Sequence, residues 1–206
     1  MDDDREVTEA GASGLTRDVV PAEEGSGPLL QRDYWAAIAN ARLRPSEIIA
    51  EVTRAFERFP PEELVCFERR CEAGRPLTVG DELDIHIRMA GECAVRVVHA
   101  DANSITLATL EGHPEAGRIT FGSYRNDRGG VLFHIRSRAR SASTVRYLGF
   151  LAMGEAMQTN TWVDFINAVA AFAGDGVAGE IQVSTEAIED EPADAMTAPT
   201  FLARGD

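Results

Sequence analysis

The sequence predicts an α+β domain: a curved antiparallel β-sheet wrapped around a long C-terminal helix, with one or two N-terminal helices. Three observations carry this. The spacing of apolar residues changes from about 3.6 to 2 after residue 80 and returns to helical spacing after Gly149. Short polar turns separate the alternating segments. The last apolar stripe is long and free of proline.

Each element follows in chain order. Residues 1–28 mix acids with Gly, Ser, Thr and Pro and have little periodicity, which predicts a disordered tail. Tyr34, Trp35, Ile38 and Leu43 predict a short amphipathic helix ending near Arg44. Pro45-Ser46-Glu47 is a helix start, and Ile48, Ile49, Val52, Ala55, Phe56 and Phe59 recur at helical spacing until Pro60-Pro61. This predicts a helix over 46–58. A strand is expected near 64–71.

Leu83, Ile85, Ile87 and Met89 then alternate with polar residues, and Ala94 to His99 reads as the next strand. Ile105, Leu107 and Thr109 follow, then Ile119, Phe121 and Ser123, and Val131, Phe133, Ile135 and Ser137. Five such segments joined by short turns describe a meander. Over 150–173, Leu151, Trp162, Phe165, Ile166, Val169 and Phe172 form the helical stripe, and Gly174 stops it. Ile181 and Val183 predict at most a short edge strand before a second acidic tail, 175–206. The expected domain is therefore 29–174. A sheet with one apolar face, covered by one helix, leaves room for a cavity between the two layers.

Composition narrows the function classes. The chain has 206 residues, 44% of them hydrophobic, and a net charge of −14. Residues 1–24 hold eight acids against Arg5 and Arg17, and residues 175–206 hold eight against Arg204. The middle keeps 18 acids and 17 arginines, so it is nearly neutral. It offers no basic surface to nucleic acid or anionic lipid. Every basic residue is arginine. With no lysine, Schiff-base chemistry and the P-loop are excluded. Cys66, Cys71 and Cys93 lack the partners of a zinc site and fit a reducing, cytoplasmic setting. No apolar run reaches the roughly 20 residues of a membrane span, and no leader-like segment opens the chain.

Gly112-His113-Pro114-Glu115-Ala116-Gly117 opens a hairpin whose second strand is Val131 to Arg136, followed by Arg140 and then Leu148-Gly149. This resembles the uncharacterised DUF1990 (UPF0548) family, whose pattern holds a GHPE(S/A)G stretch, an apolar-Phe strand, a Ser-Arg-Pro turn and a Leu-Gly pair. The resemblance covers about 80–172, more loosely 32–172. It carries over Gly112, His113, Pro114, Glu115, Gly117, Phe133, Arg140, Leu148 and Gly149. Two departures stand out: Ser141 replaces the family's proline, and Asn160 to Phe165 is not basic as the family's last helix is. The family is similar in outline to START-like, helix-grip ligand-binding proteins. That implies a cavity for small, largely apolar molecules.

Three groups of residues could carry chemistry. In the GHPEAG loop, two glycines and a proline fix the backbone, so His113 and Glu115 are presented in set geometry as acid and base. The alternative is a plain tight turn with Glu115 accepting backbone hydrogen bonds. Glu155 shares one helix side with Leu151, Gln158 and Trp162. Desolvation there would raise its pKa and suit it to proton transfer; the alternative is a position at the edge of the stripe. Arg136, Arg138 and Arg140 alternate on one sheet face with His134 and could grip an anion, or simply form a solvated face. Tyr124 and Phe133 complete the candidate substrate-binding set with Arg136, Arg138, Arg140, Gln158 and Trp162.

No cofactor or metal fingerprint is present, so the expectation is a cofactor-free enzyme acting on a small apolar metabolite. Cyclase, dehydratase, isomerase and hydrolase chemistries suit such a site. A non-catalytic carrier or sensor is the alternative, and an interaction module using the acidic tails is the third. A homodimer is compatible with the exposed helix side that holds Asn160, Asp164 and Asn167.

Overall fold

The computed structural model describes residues 17–88, 91–142 and 154–190, and side chains from 158 onward in the last of these. In order the elements are β1 (Ser26–Ile38), α1 (Pro45–Arg54), β2 (Val65–Arg69), β3 (Glu82–Ile87), β4 (Gly91–Ala100), β5 (Ser104–Thr109), β6 (Glu115–Arg125), β7 (Val131–Ser141), α2 (Gly154–Ala173) and β8 (Val177–Ile188). They form one eight-stranded sheet, in the order β2-β3-β4-β5-β6-β7-β1-β8. Every pairing is antiparallel. The α+β class and the β2–β7 meander agree with the sequence pattern.

Helix α1 begins where the sequence allows only a start. Pro45 occupies the first turn, and Glu47 accepts the Arg44 backbone N–H at 2.8 Å. Ile48, Ile49 and Val52 are fully buried. The helix stops at Ala55, which leaves helical geometry, and a 3-10 turn over 56–58 completes the segment.

One aromatic cluster ties both helices to the sheet. Phe56 lies 5.2 Å from Phe67, 5.0 Å from Phe121 and 5.3 Å from Phe165. Phe165 of α2 also packs on Phe121 at 5.0 Å and stacks on Phe133 at 6.0 Å. Such pairs add about 0.5–1.5 kcal/mol each beyond burial. Asn160, Asp164 and Asn167 are exposed on the other side of α2, as the helix stripe implies.

Two expectations are corrected. Residues 34–44 do not form a helix: Tyr34 to Ile38 belong to strand β1, paired with β7 on one side and β8 on the other. Their side chains fill both faces of a sandwiched strand, which imitates helical spacing. The sheet also runs past both expected limits of the domain. Strand β8 spans twelve residues beyond Gly174. At the other end Val19 bridges Leu110, and the Val20 N–H donates to the Thr109 carbonyl at 2.9 Å. The expected disorder of 1–16 and 191–206 lies outside the described residues.

Candidate functional site

The site stands where the GHPEAG loop enters β6. Gly112 has φ +93°, which turns the chain after Leu110. Gly117 has φ +148°, and a Cβ there would lie 2.2 Å from the Arg138 carbonyl oxygen. Only glycine lets β6 approach β7 this closely. Between them Glu115 is the first residue of β6, and strand alternation turns Glu115, Ile119 and Phe121 to the inner face, toward α2.

There a cavity of about 100 Å³ opens between sheet and helix. Its apolar walls include Val65, Phe67, Ile85, Leu107, Ile119 and Trp162. Its polar end is built by Thr109, His113, Glu115, Ser137, Gln158 and Thr161. The volume falls short of the roughly 150 Å³ that admits benzene in an engineered core. A ring-sized ligand therefore requires the wall to give, and half-buried Trp162 is its largest member.

Glu115 is buried, with 8% of its surface exposed. Its Oε1 faces Arg32 Nη1 of β1 at 3.3 Å, and its Oε2 accepts from Gln158 Nε2 at 2.7 Å. Burial pushes its pKa above the ordinary glutamate range, and the Arg32 charge and the two hydrogen bonds pull only partly against that. The Glu115 side chain is therefore not the backbone acceptor of a plain turn. His113 Nδ1 accepts the Glu115 backbone N–H at 3.0 Å. The ring is thus oriented by the neighbouring peptide.

The expected residues divide. His113, Glu115, Gln158 and Trp162 meet in the cavity, so the stretches 112–117 and 158–162 converge. The Glu155 side chain and the pair Leu148-Gly149 lie outside the described residues. Phe133 faces inward but belongs to the core, fully buried against Phe165. Tyr124, Arg136, Arg138 and Arg140 are corrected: they lie on the opposite face of the sheet. On β7, Ser137 and Ala139 line the cavity, so alternation sends 136, 138 and 140 outward. Those arginines are already engaged within the protein. Arg136 Nε donates to Asp33 Oδ1 at 2.5 Å, Arg138 Nε to Gln31 Oε1 at 2.8 Å, and Arg140 pairs with Asp190.

Sequence reasoning missed Arg32. Its neighbours Gln31 and Asp33 are also polar and buried, so the stretch carries no apolar alternation, and only the strand partners reveal its place. Among the described residues no group of three or more His, Cys, Asp or Glu could hold a metal ion. No described helix is long and apolar enough to cross a membrane.

The chain is similar to several solved structures at low identity, and KanY protein shares its fold. The NMR structure of KanY protein matches at 10% identity, over 72% of this chain and 99% of that chain, with a TM-score of 0.52. Hypothetical protein jhp0584 from Helicobacter pylori matches at 7% identity over 68% of this chain and 86% of that chain, with a TM-score of 0.49. The di-domain ARO/CYC StfQ from the steffimycin biosynthetic pathway matches at 13% over 74% of this chain and 52% of that chain, at 0.48. No curated protein matches in sequence. The family profile described as Domain of unknown function (DUF1990) matches residues 47–168, which is more than half of the sequence and contains the GHPEAG loop, most of the sheet and most of α2. The chain belongs to the DUF1990 family.

Proposed function

We propose that the cavity takes up a small, largely apolar molecule and that Glu115 transfers a proton to or from it, without a cofactor. One observation carries this: among the described residues that line the cavity, Glu115 is the one carboxyl group, it stands at the polar end opposite apolar walls, and burial raises its pKa. A carboxylic acid so placed can donate to a carbonyl or hydroxyl oxygen, and its conjugate base can take a proton from an acidic carbon. Cyclisation, dehydration, isomerisation and hydrolysis all use these steps. His113 and Glu155 are proposed as further proton-transfer groups, and Gln158 and Trp162 as the ligand's contacts. The helix-grip arrangement, a sheet closing around α2, belongs to the same proposal.

A second reading has its own support. Both Glu115 oxygens already have partners, Arg32 and Gln158, which suits a carrier that binds without converting. One experiment addresses both. Wild type and Glu115→Gln are incubated with small cyclic ketones, enones and lactones, with binding followed by ligand-observed NMR and turnover by chromatography. The expected result is turnover that falls at least about a hundredfold in Glu115→Gln while binding persists. Equal turnover in both proteins sinks the acid–base role. Binding with no turnover in either leaves the carrier.

A further inference from the structure

On the face of the sheet opposite the cavity, three side chains stand in a row across three adjacent strands. Asp33 of β1 and His134 of β7 meet with Oδ1 2.6 Å from Nε2. His134 Nδ1 lies 3.1 Å from the hydroxyl of Tyr124 on β6. The Asp33 carboxylate is fixed from both sides: Arg136 Nε donates to Oδ1 at 2.5 Å and Gln31 Nε2 to Oδ2 at 3.0 Å. Burial by itself would raise its pKa, but the hydrogen bonds from His134 and Arg136 outweigh this and keep it below the ordinary aspartate range.

These contacts assign the protons. An ionised carboxylate only accepts, so Nε2 carries the imidazole hydrogen. In the neutral imidazole Nδ1 then offers its lone pair, and the Tyr124 hydroxyl donates to it. The order is phenol to imidazole to carboxylate. That is the arrangement by which a base activates a hydroxyl nucleophile and a third group orients the base. Exposure fits the same roles. Asp33 and His134 are 6% and 7% exposed, which keeps water from the relay, whereas Tyr124 at its outer end is half-buried. The Trp35 ring, 5.8 Å from His134, forms an apolar wall beside it.

We propose that Tyr124, His134 and Asp33 form a second reactive site, separate from the cavity, in which Tyr124 is a nucleophile toward activated acyl donors. The Tyr124 oxygen attacks the acyl carbon while its proton passes to His134 Nδ1. The tetrahedral adduct then expels the leaving group, which takes that proton from Nδ1, and Tyr124 is left as its O-acyl ester. Asp33 stabilises the imidazolium in between, and Arg136 is a positioning residue for Asp33. The leaving group must be a weaker base than a phenolate, whose parent acid has a pKa of about 10. Nitrophenyl esters and thioesters meet this condition; alkyl esters and amides do not.

The chain simplifies the test, because it has no lysine to compete for the acyl group. The full chain, with its thiols blocked by N-ethylmaleimide, is treated with p-nitrophenyl acetate at neutral pH and mapped by peptide mass spectrometry. Tyr124 is expected to be acetylated at least about a hundredfold faster than N-acetyltyrosinamide, the usual contribution of a positioned base. His134→Gln should slow the labelling by a similar factor. Tyr124→Phe should abolish it and leave the circular dichroism spectrum unchanged. Acetylation of Tyr124 no faster than that of N-acetyltyrosinamide overturns the proposal, and so does an unchanged rate in folded His134→Gln. Should His134→Gln fail to fold, the comparison with N-acetyltyrosinamide and the Tyr124→Phe control decide the matter alone.

Discussion

Two carboxyl groups, Glu115 and Asp33, are buried on opposite faces of the same stretch of sheet, and their pKa values move in opposite directions. Surface exposure does not separate them, at 8% and 6%, but Glu115 lies deeper inside the protein, so burial weighs more heavily on its charge. The donors differ as well. Asp33 accepts from His134, Arg136 and Gln31, with two of the three bonds at 2.6 Å or less. Glu115 accepts one good bond from neutral Gln158 and a long one from Arg32 at 3.3 Å. Around Glu115 two buried atoms, Arg32 Nε and Gln158 Oε1, also find no hydrogen-bond partner among the described residues. A saturated network on the outer face holds its charge. An incomplete one beside the cavity pushes its charge out, which suits a group that exchanges protons.

The largest expected effect comes from breaking the saturated network. Asp33→Ala leaves Arg136 and His134 without their shared acceptor and should cost about 3–5 kcal/mol of stability, read from urea unfolding at neutral pH. The sign of the pH dependence follows from the depressed pKa. The stabilisation from Asp33 is complete above the ordinary aspartate value of 3.8 and is lost as pH falls through the lower folded value. A loss below about 1 kcal/mol would mean that the outer network contributes little and that the contrast is one of geometry only. Next comes Gly117→Ala, which forces a Cβ against the Arg138 carbonyl at a backbone angle that side chains rarely adopt. It should cost at least about 1–3 kcal/mol. Because Gly117 holds the start of β6 against β7, the same substitution should also weaken ligand uptake next to Glu115.

Half of this comparison was legible in the sequence. The GHPEAG stretch named Glu115, and helical spacing placed Gln158 and Trp162 on the cavity side of α2. Alternation on β7 correctly put Arg136, Arg138 and Arg140 on one face with His134. It could not say which face meets the helix, since the apolar set at 131, 133 and 135 is matched by aliphatic stems and a histidine on the other side. Strand β1 was hidden for a related reason. Gln31, Arg32 and Asp33 are buried polar residues whose partners come from β6, β7 and β8, and nothing local announces them. Strand β8 was hidden by its exposure: as an edge strand with few buried side chains, it leaves no periodic trace.

The smallest effect gives the sharpest measurement. Glu115→Gln keeps the shape of the side chain and should change stability by no more than about 1 kcal/mol near the ordinary glutamate value of 4.5, where the folded wild type is still protonated. Above that pH the unfolded chain gives up the Glu115 proton and the folded chain keeps it. Stability is full below 4.5 and is lost as pH rises through the raised folded value, at up to about 1.4 kcal/mol per pH unit. The glutamine variant has no such slope, so the stability difference between the two proteins should drift steadily in its favour as pH rises. Urea midpoints for both proteins, taken in steps across that range, measure the drift directly. Curves that stay parallel would show that Arg32 and Gln158 together hold Glu115 ionised, which would make it a second Asp33 and remove the physical basis for proton transfer in the cavity.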